Sequence, residues 1–455
     1  QHLATLTQRE LIRTQERSVM AGCAQFLFKH ALLREAAYET VLLKDRSRLH
    51  AAAATWLEER AGDRLDEHLG PIADHLARAG DHDRAAQLLE RSARNAAATG
   101  AVAAARDAYQ EALWHRQQLG TDRGRDGTLV RIEMGRIMSQ HGDLVAADGV
   151  LDAAQRDSQD LNAEELLCMA LCYRAEAAIQ RGDLEAANRC TTIAQPIAER
   201  TGGALLADVE LVNAWLCNVA SEPETAVAAA TKAVERCEGL GDAQRMIEAL
   251  NRLGVAEAQL GHHELSERHF TQALELARRI GNRMREASIL GNLAATAHAL
   301  SKSSNDPQLD VAIERYREAL AVNEDLGATI GTIMALGNLA QAEVEAGEIR
   351  AAREHAHASL EAAWKRELAG EWAHATLVHG QLAIAEGRRE EALRLIGAIV
   401  ADPRTPRFDT ELHRVFLMHS IDPTEAQTAM QAGAGIDLDS EIEGLIESGE
   451  SEPLV

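Results

Sequence analysis

The sequence predicts an all-α chain, a right-handed α-solenoid of about eight or nine helical hairpins each roughly 40 residues long, preceded by a small α/β segment. Three observations point there. Small residues return at fixed places around a recurrent glycine. Hydrophobic residues make up 46% of the 455, yet Phe, Trp and Tyr number only 5, 5 and 4, which suits thin layers of closely approaching helices better than one thick core. Prolines, of which there are 8, seldom interrupt the chain.

The head is read element by element. Residues 3–18, "LATLTQRELIRTQERS", predict a helix, and "QFLFKH" (25–30) alternates like a short strand. "ALLREAAYETVL" (31–42) returns to helical period, and "RSRLHAAAATWLEERAG" (46–62) continues as another helix. Helix, strand and helix in that order are what the closing piece of a winged-helix domain requires.

Beyond the head the repeat dominates. Turns fall at Gly100, Gly142, Gly182, Ser221, Gly261, Ser301, Gly347 and Gly387, evenly except where "SKSSNDPQ" stretches one interval. A small residue stands seven positions before each turn (Ala93, Gly135, Ala175, Ala214, Gly254, Ala294, Ala340, Gly380), and Ala or Ser recurs five after it (Ala105, Ala147, Ala187, Ala226, Ser266, Ala352, Ala392). Alanine commonly follows seven further on, at Ala112, Ala154, Ala194, Ala233 and Ala273. Small residues at fixed places in successive helices are what close antiparallel packing demands, and glycine between them supplies a left-handed turn. The spacing resembles the tetratricopeptide-repeat pattern, with a period above that family's 34 residues, which implies second helices longer by about a turn and a half.

In such an array the first helices line a concave wall. Tyr173, Arg252, Asn292 and Asn338 stand nine positions before a turn, Trp215 and Gln341 six before, and Asn218 follows Trp215 by three. These seven are the candidate groove residues for a protein or peptide effector. Asn292 and Asn338 both lie in "LGNLA", where an amide offers donor and acceptor to an extended backbone. Resemblance to peptide-binding tetratricopeptide proteins with long repeats implies that role; bonds to neighbouring helices alone are the alternative.

Composition narrows the function classes. With 71 acidic and 47 basic residues the net charge is −24, so direct nucleic-acid binding is not expected. Residues 1–60 differ, carrying nine basic and seven acidic residues, 9 − 7 = +2. The six scattered cysteines contain no CxxC pair and are read as reduced thiols in a cytoplasmic protein. No apolar run is long enough to span a membrane. A phosphate-cradling loop is missing, and His262/His263, His355/His357 and His374/His379 have poor chelating spacings, so neither metal nor catalysis is expected. Beginning at Gln1 rather than Met is read as a fragment or processed chain.

The head carries a more specific resemblance. "FLFKHALLREAAYETVL" places Phe28, His30, Leu33, Arg34 and Tyr38 in the pattern F-[KR]-H-x-L-[LV]-R-x-x-x-Y. This resembles the junction in bacterial STAND-class signalling ATPases, of the type fused to class III nucleotide cyclases, Ser/Thr kinases or LuxR-type regulators. There a winged helix follows the nucleotide-binding domain and a tetratricopeptide superhelix follows it. "ADHLARAGDHDRAAQLLERSARNA" matches too, and "PTEAQTAMQAGAGIDLDSEIEGLI" more loosely, so the resemblance covers nearly the whole chain, most sharply residues 26–60.

The resemblance implies no cofactor in this chain, with ATP or ADP and Mg held by an upstream domain that His30 would contact. A junction histidine bonded to backbone is the alternative for His30. The chain divides into a partial winged-helix segment (1–45), N-terminal helical repeats (46–120), the repeat superhelix (121–404), capping helices (405–447) and an acidic tail (448–455). The leading expectation is a non-catalytic effector-binding arm of a STAND-type ATPase; a free-standing adaptor bridging partner proteins is the alternative, and a homo-oligomer is compatible with either.

Overall fold

A computed structural model describes residues 2–15, 23–98, 101–140, 142–301, 306–366, 368–405 and 422–449. The expected turn at Gly100, residues 302–305 of the insertion, residues 406–421 and the tail beyond Gly449 lie outside the described residues. The chain forms two compact units, Gln1–Thr201 and Gly202–Val455.

The first unit begins with α1 (His2–Gln8), β1 (Ile12–Gln15) and β2 (Gln25–Phe28). The strands pair antiparallel, Ile12 opposite Phe28 and Gln15 opposite Gln25. The helix expected over 3–18 therefore ends at Gln8. Helix α1 buries none of its side chains, Glu10 turns the chain at a φ of 57°, and Ile12 goes into the interior. A lone four-residue strand would leave its backbone groups unpaired; residues 12–15 supply the partner, so tertiary pairing overrides local helical period.

Helix α2 (Ala31–Glu39) follows, and the Arg46 guanidinium donates to the carbonyls of Glu39 at 2.8 Å and Val41 at 2.7 Å, closing its C-terminus. Four antiparallel pairs complete the unit: α3 (Leu43–Ala61) with α4 (Leu69–Ala79), α5 (His82–Ala98) with α6 (Val102–Gln118), α7 (Arg125–Gln140) with α8 (Leu144–Asp160), and α9 (Glu164–Gln180) with α10 (Leu184–Thr201).

The second unit continues the theme. Its pairs are α11 (Gly203–Val219) with α12 (Pro223–Leu240), α13 (Ala243–Gln259) with α14 (His263–Ile280), α15 (Arg283–Leu300) with α16 (Pro307–Leu326), α17 (Thr329–Ala346) with α18 (Ile349–Trp364), and α19 (Ala369–Ala385) with α20 (Arg389–Ala401). Helices Pro423–Gly433 and Leu438–Gly449 then pack on α20.

The small-residue positions lie in the pair contacts. Ala147, Ala154, Ala187, Ala226, Ala233, Ala273, Ala352 and Ala392 are fully buried. Where glycine occupies the earlier small position, a bulky side chain from the partner helix fills the space. A Cβ would lie 2.5 Å from Leu151 Cγ at Gly135 and 2.8 Å from Ile396 Cγ1 at Gly380. The added repeat length is shared rather than confined to second helices: α13 and α14 have 17 and 18 residues, α17 and α18 have 18 and 16. Paired helices bury each other along matching lengths, and an overhang on one would have nothing to cover it.

The turns at Gly142, Gly182, Gly261, Gly347 and Gly387 are left-handed, with φ from 76° to 88°, and Ser221 joins them at 59°. Ser301 does not: at φ −65°, ψ 138° it leaves α15 extended. The longer connection there needs no tight reversal, and α16 starts afresh with the Asp306 side chain accepting from the Gln308 N–H. Second helices also close on left-handed glycines, at Gly241, Gly281 and Gly327, midway between the expected turns.

Apolar burial is divided among neighbouring hairpins, as repeats require. Ile132, Ala154, Leu166 and Ala170 form one such group in the first unit. In the second, Ile247, Phe270, Leu274, Ile289 and Leu290 join α13, α14 and α15, and Leu360, Trp372, Ile396, Leu438 and Ile442 close the C-terminal end.

Candidate functional site

In the second unit the first helices of successive pairs touch: α11 against α13, α13 against α15, α15 against α17 and α17 against α19. Six of the expected groove residues sit along these contacts. The Arg252 guanidinium of α13 lies over the Trp215 ring of α11, 4.3 Å from its centroid. One turn on, Asn218 Nδ2 donates to the Arg252 carbonyl at 3.1 Å, and Gln259 Nε2 donates to the Asn218 carbonyl at 3.0 Å. Trp215, Asn218 and Arg252 thus form one cluster. Asn218 Oδ1 is buried there without a hydrogen-bond partner among the described residues, an acceptor left unspent.

Ion pairs run beside this cluster. Arg245 of α13 grips Asp208 of α11 through two bonds of 2.7 and 2.9 Å, and that hydrogen-bonded carboxylate raises the pKa of the guanidinium. Glu248 of α13 pairs with Arg285 of α15 and stands 4.0 Å from Arg252. Every arginine in this cluster has an acidic neighbour, so the face carries no excess of cations.

The two "LGNLA" asparagines differ. Asn292 Nδ2 donates to Asn251 Oδ1 at 2.8 Å, tying α15 to α13. The side-chain amide of Asn338, half-buried in the same register of α17, has no hydrogen-bond partner among the described residues. Gln341 is buried, and its Oε1 lies 2.9 Å from His374 Nε2 on α19. Tyr173 belongs to the first unit, on α9, where it packs half-buried against Ile132, Leu166 and Ala170. His30 precedes α2 in extended conformation, exposed, and its side chain makes no capping bond to that helix.

Two partners escape the sequence pattern. Asn251 stands one residue off the groove register in "ALNRLG", and His374 reads there only as half of a chelating pair with His379. The other histidine pairs resolve similarly: His262 Nδ1 meets Glu257 at 2.7 Å, and His355 Nδ1 meets Glu343 at 2.7 Å. Among the described residues no three His, Cys, Asp or Glu side chains converge on a metal position, and no helix is long and apolar enough to cross a membrane.

A tetratricopeptide repeat family profile matches residues 245–304, which span α13, α14 and α15. The fold is that of tetratricopeptide repeats. No curated protein sequence matches the chain. Among solved structures, the repeats resemble the signal transduction ATPase with numerous domains (STAND) protein with a tetratricopeptide repeat sensor from Pyrococcus horikoshii. That match has a TM-score of 0.54 at 16% identity, covering 92% of this chain. The chain spans 60% of that protein's length. They also resemble a Rap protein complexed with competence and sporulation factor, with a TM-score of 0.58 at 13% identity, covering 79% of this chain and 99% of Rap. At these identities the likeness is one of fold, and the repeats themselves present a helix-to-helix face of mixed aromatic, amide and paired ionic groups.

Proposed function

We propose that the second unit binds a protein or peptide effector along the face carrying Trp215, Asn218, Arg252, Asn292, Asn338 and Gln341, and that the chain is the effector-reading arm of a STAND-type regulatory ATPase. The observation that carries the binding role is the unspent amide of Asn338. Its counterpart Asn292 is held by a neighbouring helix, whereas Asn338 keeps donor and acceptor for an extended backbone. Tyr173 would contact the effector separately, within the first unit. The chain does no chemistry in this reading; ATP or ADP and Mg belong to an upstream domain, which residues 1–45, a winged-helix remnant, would meet through His30.

Effector binding works by population shift. It must favour one arrangement of the arm over another, by about 5.5 kcal/mol for a near-complete switch. The fold likeness to a STAND protein over most of this chain supports that placement. A free-standing adaptor is the second reading, favoured by the likeness to Rap over nearly all of Rap's own length.

The test compares proteins retained by wild type, Asn338→Ala and Asn292→Ala in pull-downs from the native lysate, followed by titration of the identified partner. Loss of the same partner from Asn338→Ala supports the site; unchanged retention sinks it. If the partner also changes nucleotide exchange in the parent protein, the ATPase arm is the right reading; binding without that effect leaves the adaptor.

A further inference from the structure

The aromatic head segment feeds a hydrogen-bond chain that the groove does not use. Tyr38 Oη lies 2.9 Å from His50 Nε2, and His50 Nδ1 lies 2.8 Å from His75 Nδ1, joining α2, α3 and α4. A second pair follows: His82 Nδ1 lies 2.8 Å from His115 Nδ1, joining α5 and α6. The ring centroids are 5.0 and 5.1 Å apart, so taking away 2.8 Å leaves the full length of two ring radii, which only a near-collinear contact allows. The nitrogens meet head-on.

A head-on contact at that distance is a linear N–H···N hydrogen bond, with one Nδ1 protonated and the other offering its lone pair. A tetrahedral cation would need the two lone pairs to converge at a bent angle, so a shared proton fits better than a metal. The proton count follows. A neutral pair can add one proton on an outer nitrogen, as His50 Nε2–H donating to Tyr38, and keep its bond. A second proton must go on the accepting Nδ1, placing two N–H groups face to face.

The surroundings do not offset this. Around the first pair stand Tyr38, the Arg46 guanidinium 4.7 Å from the Tyr38 ring centroid, and Asp74 hydrogen-bonded to Arg78 at 2.9 Å, so two cations face one carboxylate. Around the second, Trp114 meets both rings edge-on, and the exposed Glu111 carboxylate, 4.0 Å from His115 Nε2, favours the first, outer proton without relieving two N–H groups set face to face. Burial first, then the partner imidazole, pushes both His50 and His115 below the ordinary histidine value.

We propose that His50–His75 and His82–His115 are single-proton latches, which hold α3 on α4 and α5 on α6 near neutrality and release them in mild acid. Acidification would thereby loosen this end of the first unit, a device independent of the effector face.

The test is a long-range 1H–15N NMR titration of the histidine rings in the 15N-labelled full chain, with thermal unfolding at pH 7.5 and 5.5. Within each pair the rings should take up their protons in two separate steps rather than together. His75→Asn and His82→Asn keep an amide oxygen as acceptor and cannot take the second proton. The double variant should therefore lose less of its melting temperature between the two pH values than wild type. Both rings of a pair titrating together at the ordinary value, or an unchanged pH loss in the double variant, would overturn the proposal. Should a variant fail to fold, the wild-type titration decides.

Discussion

A Cβ placed on Gly254 would lie 2.6 Å from Cε1 of Phe270, so α13 rests on α14 with the phenyl ring against bare backbone. Gly254→Ala must displace that ring from a packed cluster, at a cost of about 1–3 kcal/mol. Gly291, also mid-helix, has open space within 4 Å of where an added methyl would stand, and Gly291→Ala should gain up to about 1 kcal/mol from helix propensity. Urea unfolding of the two variants checks the contrast; equal effects would mean that the close approach does not matter.

Asn338→Ala removes an amide that no described residue engages and should change stability by less than about 0.5 kcal/mol. Asn292→Ala strands the Asn251 amide oxygen and should cost about 1 kcal/mol. Chemical denaturation separates them. A comparable loss in both would make Asn338 a packing residue and remove the basis for its ligand role.

The Arg252–Trp215 stack is half-exposed, so its coupling should be modest, about 0.5–1 kcal/mol. A double-mutant cycle on Arg252→Ala and Trp215→Leu measures it. A coupling near zero would show that the bonds made by Asn218, Gln259 and Arg245, and not the stack, position the two helices.

Ser221 occupies a left-handed turn of the kind made by glycine at Gly142, Gly182, Gly261, Gly347 and Gly387, at a φ of 59° that its Cβ disfavours. Ser221→Gly relieves that conflict and should stabilise the second unit by up to about 1 kcal/mol. Its melting temperature should rise; a fall would mean that the serine hydroxyl contributes more than the backbone conformation costs.

Acid sensitivity in the second unit should centre on His379. Burial first, then His357 and Arg353, push its pKa down to about 4 from 6.5. The unfolded chain takes up a proton below 6.5 that the folded one refuses, so stability is complete above 6.5 and is lost as pH falls toward 4. His379→Leu removes the titration and should flatten the stability profile across that window. An unaltered profile would show that other groups carry the acid loss.

Much of the architecture was legible because close helix contact leaves a local mark. Ala147, Ala187 and Ala226 recur where the backbones approach, and Gly182 and Gly261 recur where the chain reverses. Ser301 fitted the same pattern and failed, because the insertion behind it removed the need for a tight turn. The strand at Ile12–Gln15 was hidden for the opposite reason: its period was compatible with a helix, and only pairing with Gln25–Phe28 decided otherwise.

The candidate face was legible as a register but not as a set of bonds. Asn292 and Asn338 share one pentapeptide, yet Asn251 engages the first and no described residue engages the second. His50 and His75 are 25 residues apart, His82 and His115 33, and Asn251 and Asn292 41. The chain alone settles helices, their pairing and most of their turns, since these depend on residues a few positions apart and on side-chain size. Which polar groups come within bonding distance is settled only by the packed structure. Small differences in helix separation and rotation choose among neighbours that no spacing along the sequence distinguishes.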